Sequence, residues 1–137
     1  VHRVFVFGTL KEGFPNFHKN QGARVGGEFH TAERYPLYLV GERYSPWLVL
    51  SPGIGHQISG QVFEASDSAL AEMDLLERVH APDGYRRETI EVVCQQSAQV
   101  SAVMVYGKPV QMLSVAEIKE TLAGEYSLAH AALYQSR

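Results

Sequence analysis

Four consecutive apolar, β-prone residues, Val4-Phe5-Val6-Phe7, are followed at once by Gly8 and then by the polar Thr9 and Lys11. A run without polar alternation predicts a strand buried on both faces, so the fold has to place packed layers on either side of it. Gly8 ends the run with backbone freedom that a side chain would remove, and Gly13 reopens the chain shortly afterwards. The pattern fits an ordinary first strand and loop. It also fits a strand end whose unpaired N–H groups cradle a carboxylate or phosphate.

The remaining elements are short. Phe14-Pro15-Asn16 is loop chemistry. Residues 22–31 hold three glycines and read as a bent or bulged strand. Residues 35–40, 47–50 and 58–64 read as further strands, the first two closed by Gly41 and Ser51-Pro52-Gly53. At Ser66 or Asp67 the period changes: Leu70, Met73, Leu76 and Val79 recur at helical spacing, which predicts a helix over 67–79 ended by Pro82-Asp83-Gly84. Residues 87–92 and 100–106 form an expected hairpin. Ser114-Val115-Ala116-Glu117 has the form of a capping box, with Ile118 and Leu122 on one helical face, and residues 127–134 read as a second alanine-rich helical piece. These elements predict an α+β fold whose small, mainly antiparallel sheet curls toward a barrel with helices packed against it.

A chain of 137 residues with 45% hydrophobic and 20% charged residues is long enough for one core, and residues 1–137 read as a single domain. A net charge of -3 with scattered basic residues gives no reason to expect nucleic acid or an anionic membrane as partner. No apolar run approaches the roughly 20 residues that span a bilayer, and no basic-then-apolar leader precedes the first strand, so a cytoplasmic location is expected. The single Cys94 excludes an internal disulfide and reads as a packed thiol. The six histidines show no metal-ligand spacing, and the Gly8 loop lacks the Gly-Lys-Ser/Thr ending of a nucleotide P-loop.

Glu77 is the residue that stands out. At three- and four-residue steps from Leu70 and Met73 it falls on the apolar stripe of the expected helix, while Glu72 and Asp74 point away from it. A carboxylate there is costly unless partnered or protonated, and desolvation raises a carboxylate toward the range useful in general acid/base chemistry. The alternative is a stripe-edge glutamate that reaches solvent or pairs with Arg78, Arg86 or Arg87.

Residues 4–13 with Phe14-Pro15-Asn16, then Pro46-Trp47-Leu48, Gly60-Gln61-Val62-Phe63, and Leu75-Leu76-Glu77 followed by Tyr85-Arg86-Arg87, together resemble the gamma-glutamylcyclotransferase-like superfamily, with the gamma-glutamylamine cyclotransferases as the nearest branch. The resemblance covers roughly residues 3 to 106. It implies a small mixed β-barrel with packed helices and an intramolecular aminolysis without metal or cofactor. In that reaction the α-amine of an L-γ-glutamyl group attacks its own γ-carbonyl to give 5-oxoproline and a free amine. Carried over by motif, it makes Glu77 the catalytic acid/base and Phe7, Gly8, Thr9 and Leu10 the substrate loop, with Tyr85 as a pocket wall or hydroxyl. Phe7 departs from the family's usual tyrosine. Two other readings stay open on the sequence: a non-catalytic module that binds a small carboxylate, and a hydrolase that uses water in the same pocket.

Overall fold

The computed structural model describes residues 1–136. The first strand, β1 (His2–Val6), is central and buried: Val4, Phe5 and Val6 are at most 4% exposed. Its chain neighbours come later. β2 (Ala23–Arg24), β3 (Phe29–Tyr35), β4 (Leu37–Val40), β5 (Ser45–Leu48) and the ten-residue β6 (His56–Ala65) precede helix α1 (Asp67–Leu76). The hairpin β7 (Arg86–Cys94) and β8 (Val100–Gly107) follows, then β9 (Ile118–Thr121) and the short helix α2 (Leu128–Ala131).

β1 pairs in parallel with β8 and antiparallel with β6. β8 pairs with β7, β7 with β3, and β3 with β6, so β1, β8, β7, β3 and β6 close a five-stranded barrel. One parallel pair among antiparallel ones makes the barrel mixed. β3 shifts register between His30 and Arg34, the bend expected of a glycine-flanked strand that has to turn a barrel corner. A smaller sheet of β5, β4 and β9 packs beside the barrel.

Two apolar clusters fill the molecule. One lies inside the barrel around Phe5, Phe7, Ile58, Val92 and Val105, with Leu37, Leu39, Leu48 and Tyr126 from the smaller sheet and the C-terminal region. The other lies outside β1, where Val4, Val6 and Phe63 meet Leu70 and Met73 of α1. β1 is therefore sandwiched, which is why its sequence carries no polar alternation. Cys94 packs partly buried against the first cluster. No helix among the described residues is long and apolar enough to cross a membrane.

Three expectations are corrected. α1 ends at Leu76, with Glu77 as its C-cap, rather than running to Val79. The capping-box pattern at Ser114 starts no α-helix: residues 110–115 form a 3-10 turn, and Ile118–Thr121 is the strand β9, paired antiparallel with β4. That pairing gives residues 118–121 a partner strand, whereas a short helix starting at Ser114 with these four exposed residues would have little packing to offset its nucleation cost. Asp74 does not point away from the packed side of α1. It accepts the Tyr106 hydroxyl at 2.6 Å and an Arg87 N–H at 2.5 Å, joining α1 to β8 and β7.

Candidate active site

The chain leaves the C-terminal end of β1 as a tight loop. The Gly8 carbonyl accepts from the Lys11 amide at 3.1 Å and the Thr9 carbonyl from the Asn16 amide at 2.8 Å. The Leu10 carbonyl accepts from the Asn20 side-chain amide at 3.1 Å. Three successive carbonyls are thus taken up by the protein, whereas among the described residues nothing accepts from the Gly8, Thr9 or Leu10 N–H groups. Consecutive amides left undonated form a concave array of partial positive charge suited to an anionic oxygen.

The loop is held from several sides. The Glu12 amide donates to Gln61 Oε1 on β6 at 2.8 Å, and the Asn16 Nδ2 group donates to Thr9 Oγ1 at 2.9 Å. Lys11 is turned away from the loop's open face: its Nζ donates to the Tyr126 carbonyl at 2.7 Å and lies 4.2 Å from the Phe14 ring centre. Burial lowers the Lys11 pKa below the ordinary lysine range, against the opposing pull of Glu125 and Glu28.

Glu77 reaches the same place from the end of α1. Its amide donates to the Met73 carbonyl at 2.9 Å and its carbonyl accepts from the Tyr85 amide at 3.0 Å, so its backbone is fixed on both sides. The intervening turn is tight, for a Cβ on Gly84 would sit 1.7 Å from the Arg78 carbonyl oxygen. Tyr85 in turn donates its hydroxyl to the Pro46 carbonyl at 2.9 Å, which brings the start of β5 over Gly8.

These elements enclose one cavity. Phe7, Gly8, Thr9, Leu10, Glu77 and Tyr85, all singled out in the sequence, line it. Its volume is about 100 Å³, against ~10–15 Å³ for one water, which suits a small polar ligand or the head of a longer one. Phe7 contributes only an apolar wall, since its ring is 7% exposed and belongs to the barrel core. Sequence reasoning missed Asn16, Ser45, Tyr106, Tyr134 and Ser136, which also line the cavity. Asn16 carried a signal, a lone amide beside a proline directly after the loop. The tyrosines carried none, because one read as strand packing and the other as part of a helical piece. Burial, and after it the hydrogen bond and charge of Asp74, pushes the Tyr106 hydroxyl well above the usual tyrosine range, so it remains a donor.

Comparison with known proteins agrees with this architecture. A gamma-glutamylaminecyclotransferase from Danio rerio is 34% identical over 117 residues, covering 79% of this chain and 76% of its own. The gamma-glutamylaminecyclotransferase of Mus musculus is 36% identical over 94 residues, covering 65% of this chain and 62% of its own. The present chain therefore spans 76% of the Danio rerio relative and less than two thirds, 62%, of the Mus musculus one. The crystal structure of an AIG2-like protein from Mus musculus superposes with a TM-score of 0.75 at 26% identity, over 99% of this chain and 96% of that one, and has the same mixed barrel. The sequence pattern of the family described as gamma-glutamyl cyclotransferase, AIG2-like, matches residues 4–128, past the limit near residue 106 expected from the motifs alone. With the barrel, the loop and the sequence match in agreement, the chain belongs to the gamma-glutamyl cyclotransferase, AIG2-like family.

Proposed function

We propose that this protein is a cyclotransferase that converts an L-γ-glutamyl amine or peptide to 5-oxoproline and the free amine. The observation that carries the reading is the meeting, in one small cavity, of the Gly8, Thr9 and Leu10 amides, which donate to nothing among the described residues, with the Glu77 carboxyl group. The relatives named for this activity support the same reaction class. The α-amine of the substrate attacks its own γ-carbonyl carbon; the new C–N bond closes the five-membered ring and the bond to the leaving nitrogen breaks. Glu77 takes the proton that the attacking nitrogen must lose and returns it to the departing one, so no net proton is consumed. The loop amides hold the substrate's carboxylate and keep the chain folded into its attacking conformation. Intramolecular orientation of this kind is worth several kcal/mol, up to about 7–11 in favourable cases.

Glu77→Gln keeps the shape and removes the base. The expected outcome is a fall in 5-oxoproline release of about 10²–10⁴-fold, with binding of a γ-glutamyl amide retained. Turnover at the wild-type rate in this variant would exclude Glu77 as the proton carrier. Thermal stabilisation of the wild-type protein by γ-glutamyl compounds with no product would instead select the binding-module reading, for which the apolar Phe7 wall is the supporting feature. Release of free glutamate would select the hydrolase.

A further inference from the structure

Tyr134 lies far from the loop in sequence and beside it in space. It follows α2, and its segment is tied down by the Tyr134 amide to the Ala131 carbonyl and by the Gln135 amide to the Arg43 carbonyl, each at 3.1 Å. Its hydroxyl oxygen accepts from Asn16 Nδ2 at 3.2 Å, and the same side-chain amide donates to Thr9 Oγ1. Asn16 is 7% exposed and cannot move away without breaking both bonds. A phenol that accepts one hydrogen bond still has its own proton to give. Among the described residues nothing accepts that proton, and Tyr134 lines the cavity with the Gly8 loop and Glu77.

We infer that Tyr134 is a substrate-binding residue whose hydroxyl donates to the α-carboxylate of the γ-glutamyl group. The inference rests on the cyclotransferase reading and extends it. Asn16 fixes the phenol on the loop side of the cavity, beside the Gly8, Thr9 and Leu10 segment, where a carboxylate is the natural acceptor. Phe7 lines that cavity with its apolar ring alone, and the Tyr134 hydroxyl reaches it from the C-terminal segment. Because the α-carboxylate is present in substrate, transition state and product alike, the bond is made throughout the reaction. It contributes to binding and leaves the chemical step alone.

Tyr134→Phe removes the hydroxyl and keeps the ring. The expected result is a rise in KM for N-ethyl-γ-glutamylamide of about 10- to 100-fold, the usual scale for a hydrogen bond to a charged group, with kcat within about twofold of wild type. Direct titration should show 5-oxoproline binding weakened by a similar factor, since the product keeps the carboxylate. Leu133→Ala, on the exposed neighbour outside the cavity, controls for disturbance of the segment and leaves both values unchanged. Unchanged KM and product affinity in Tyr134→Phe would overturn the inference, as would a loss confined to kcat. If the wild-type protein releases no 5-oxoproline, it is the cyclotransferase reading that fails. The titrations with N-ethyl-γ-glutamylamide and 5-oxoproline then still judge Tyr134, and equal affinities or no binding by either protein overturn its assignment.

Discussion

At Gly8 a side chain would begin 2.8 Å from Pro46 Cγ and 3.4 Å from Pro46 Cβ. The first distance is too short for two carbons, and Pro46 is buried and held through its carbonyl by the Tyr85 hydroxyl, so the loop has to yield rather than the proline. Gly8→Ala should therefore push the amides of residues 8–10 off their positions while the barrel stays folded. A loss of about 100-fold in kcat/KM is expected, because displacements of about 1 Å cost that much in oriented reactions. Pro46→Ala in the same chain removes the offending Cγ and should restore most of the activity. Failure of the double variant to recover would mean that Gly8 is required for something other than this close approach.

Between elements, the join that matters is the one from α1 to the barrel. Asp74 receives Tyr106 from β8 and Arg87 from β7, one turn before Glu77. The Tyr106 side of this network is buried and the Arg87 side is open, with Tyr106 4% and the Arg87 side chain 35% exposed. Most of the stabilisation therefore belongs to the tyrosine, because a solvated ion pair adds little. Asp74→Ala should cost about 2 kcal/mol in denaturant unfolding, largely through the buried hydroxyl left without its acceptor. Adding Tyr106→Phe removes that orphan, so the double variant should be hardly less stable than the single one. Fully additive losses would show that the two groups act independently.

Which of these elements the sequence discloses depends on how local their cause is. β1, β6 and the β7–β8 hairpin are written as apolar runs with turn residues between them, and the six residues singled out there all line one cavity. The end of α1 is different: Val79 continues the helical spacing, but Arg78 takes φ 54° and the Tyr85 amide claims the Glu77 carbonyl, a contact eight residues away. β9 likewise owes its form to β4, about eighty residues earlier, and its four exposed residues carry no periodicity. Asn16 and Tyr134 meet across more than a hundred residues, and no pattern in either segment announces the other.

For the whole molecule the decisive place is the seam where β1 and β6 close the barrel. β6 gives its first half to β3 and its second half to β1, and Gly60 stands at the change, opposite Phe29 and just before the Gln61–Val6 pair. A Cβ there would lie 2.4 Å from the Val6 carbonyl oxygen and 2.6 Å from Phe5 Cζ. The first contact is backbone and the second is a ring 1% exposed in the barrel core, so neither has room to give. Gly60→Ala should therefore cost about 3 kcal/mol, the upper end for overpacking, read as a lower urea midpoint with an unchanged slope. Gly26 offers the control, since a Cβ there meets nothing within 4 Å and its φ is not positive. Gly26→Ala should leave stability unchanged or raise it by about 0.5 kcal/mol through the unfolded chain. Because Val6 leads directly into Phe7 and Gly8, the seam and the candidate site share one stretch of backbone. Gly60→Ala should accordingly lose activity even at urea concentrations where it remains folded, whereas a variant that kept full activity would show that the loop is held independently of the closure.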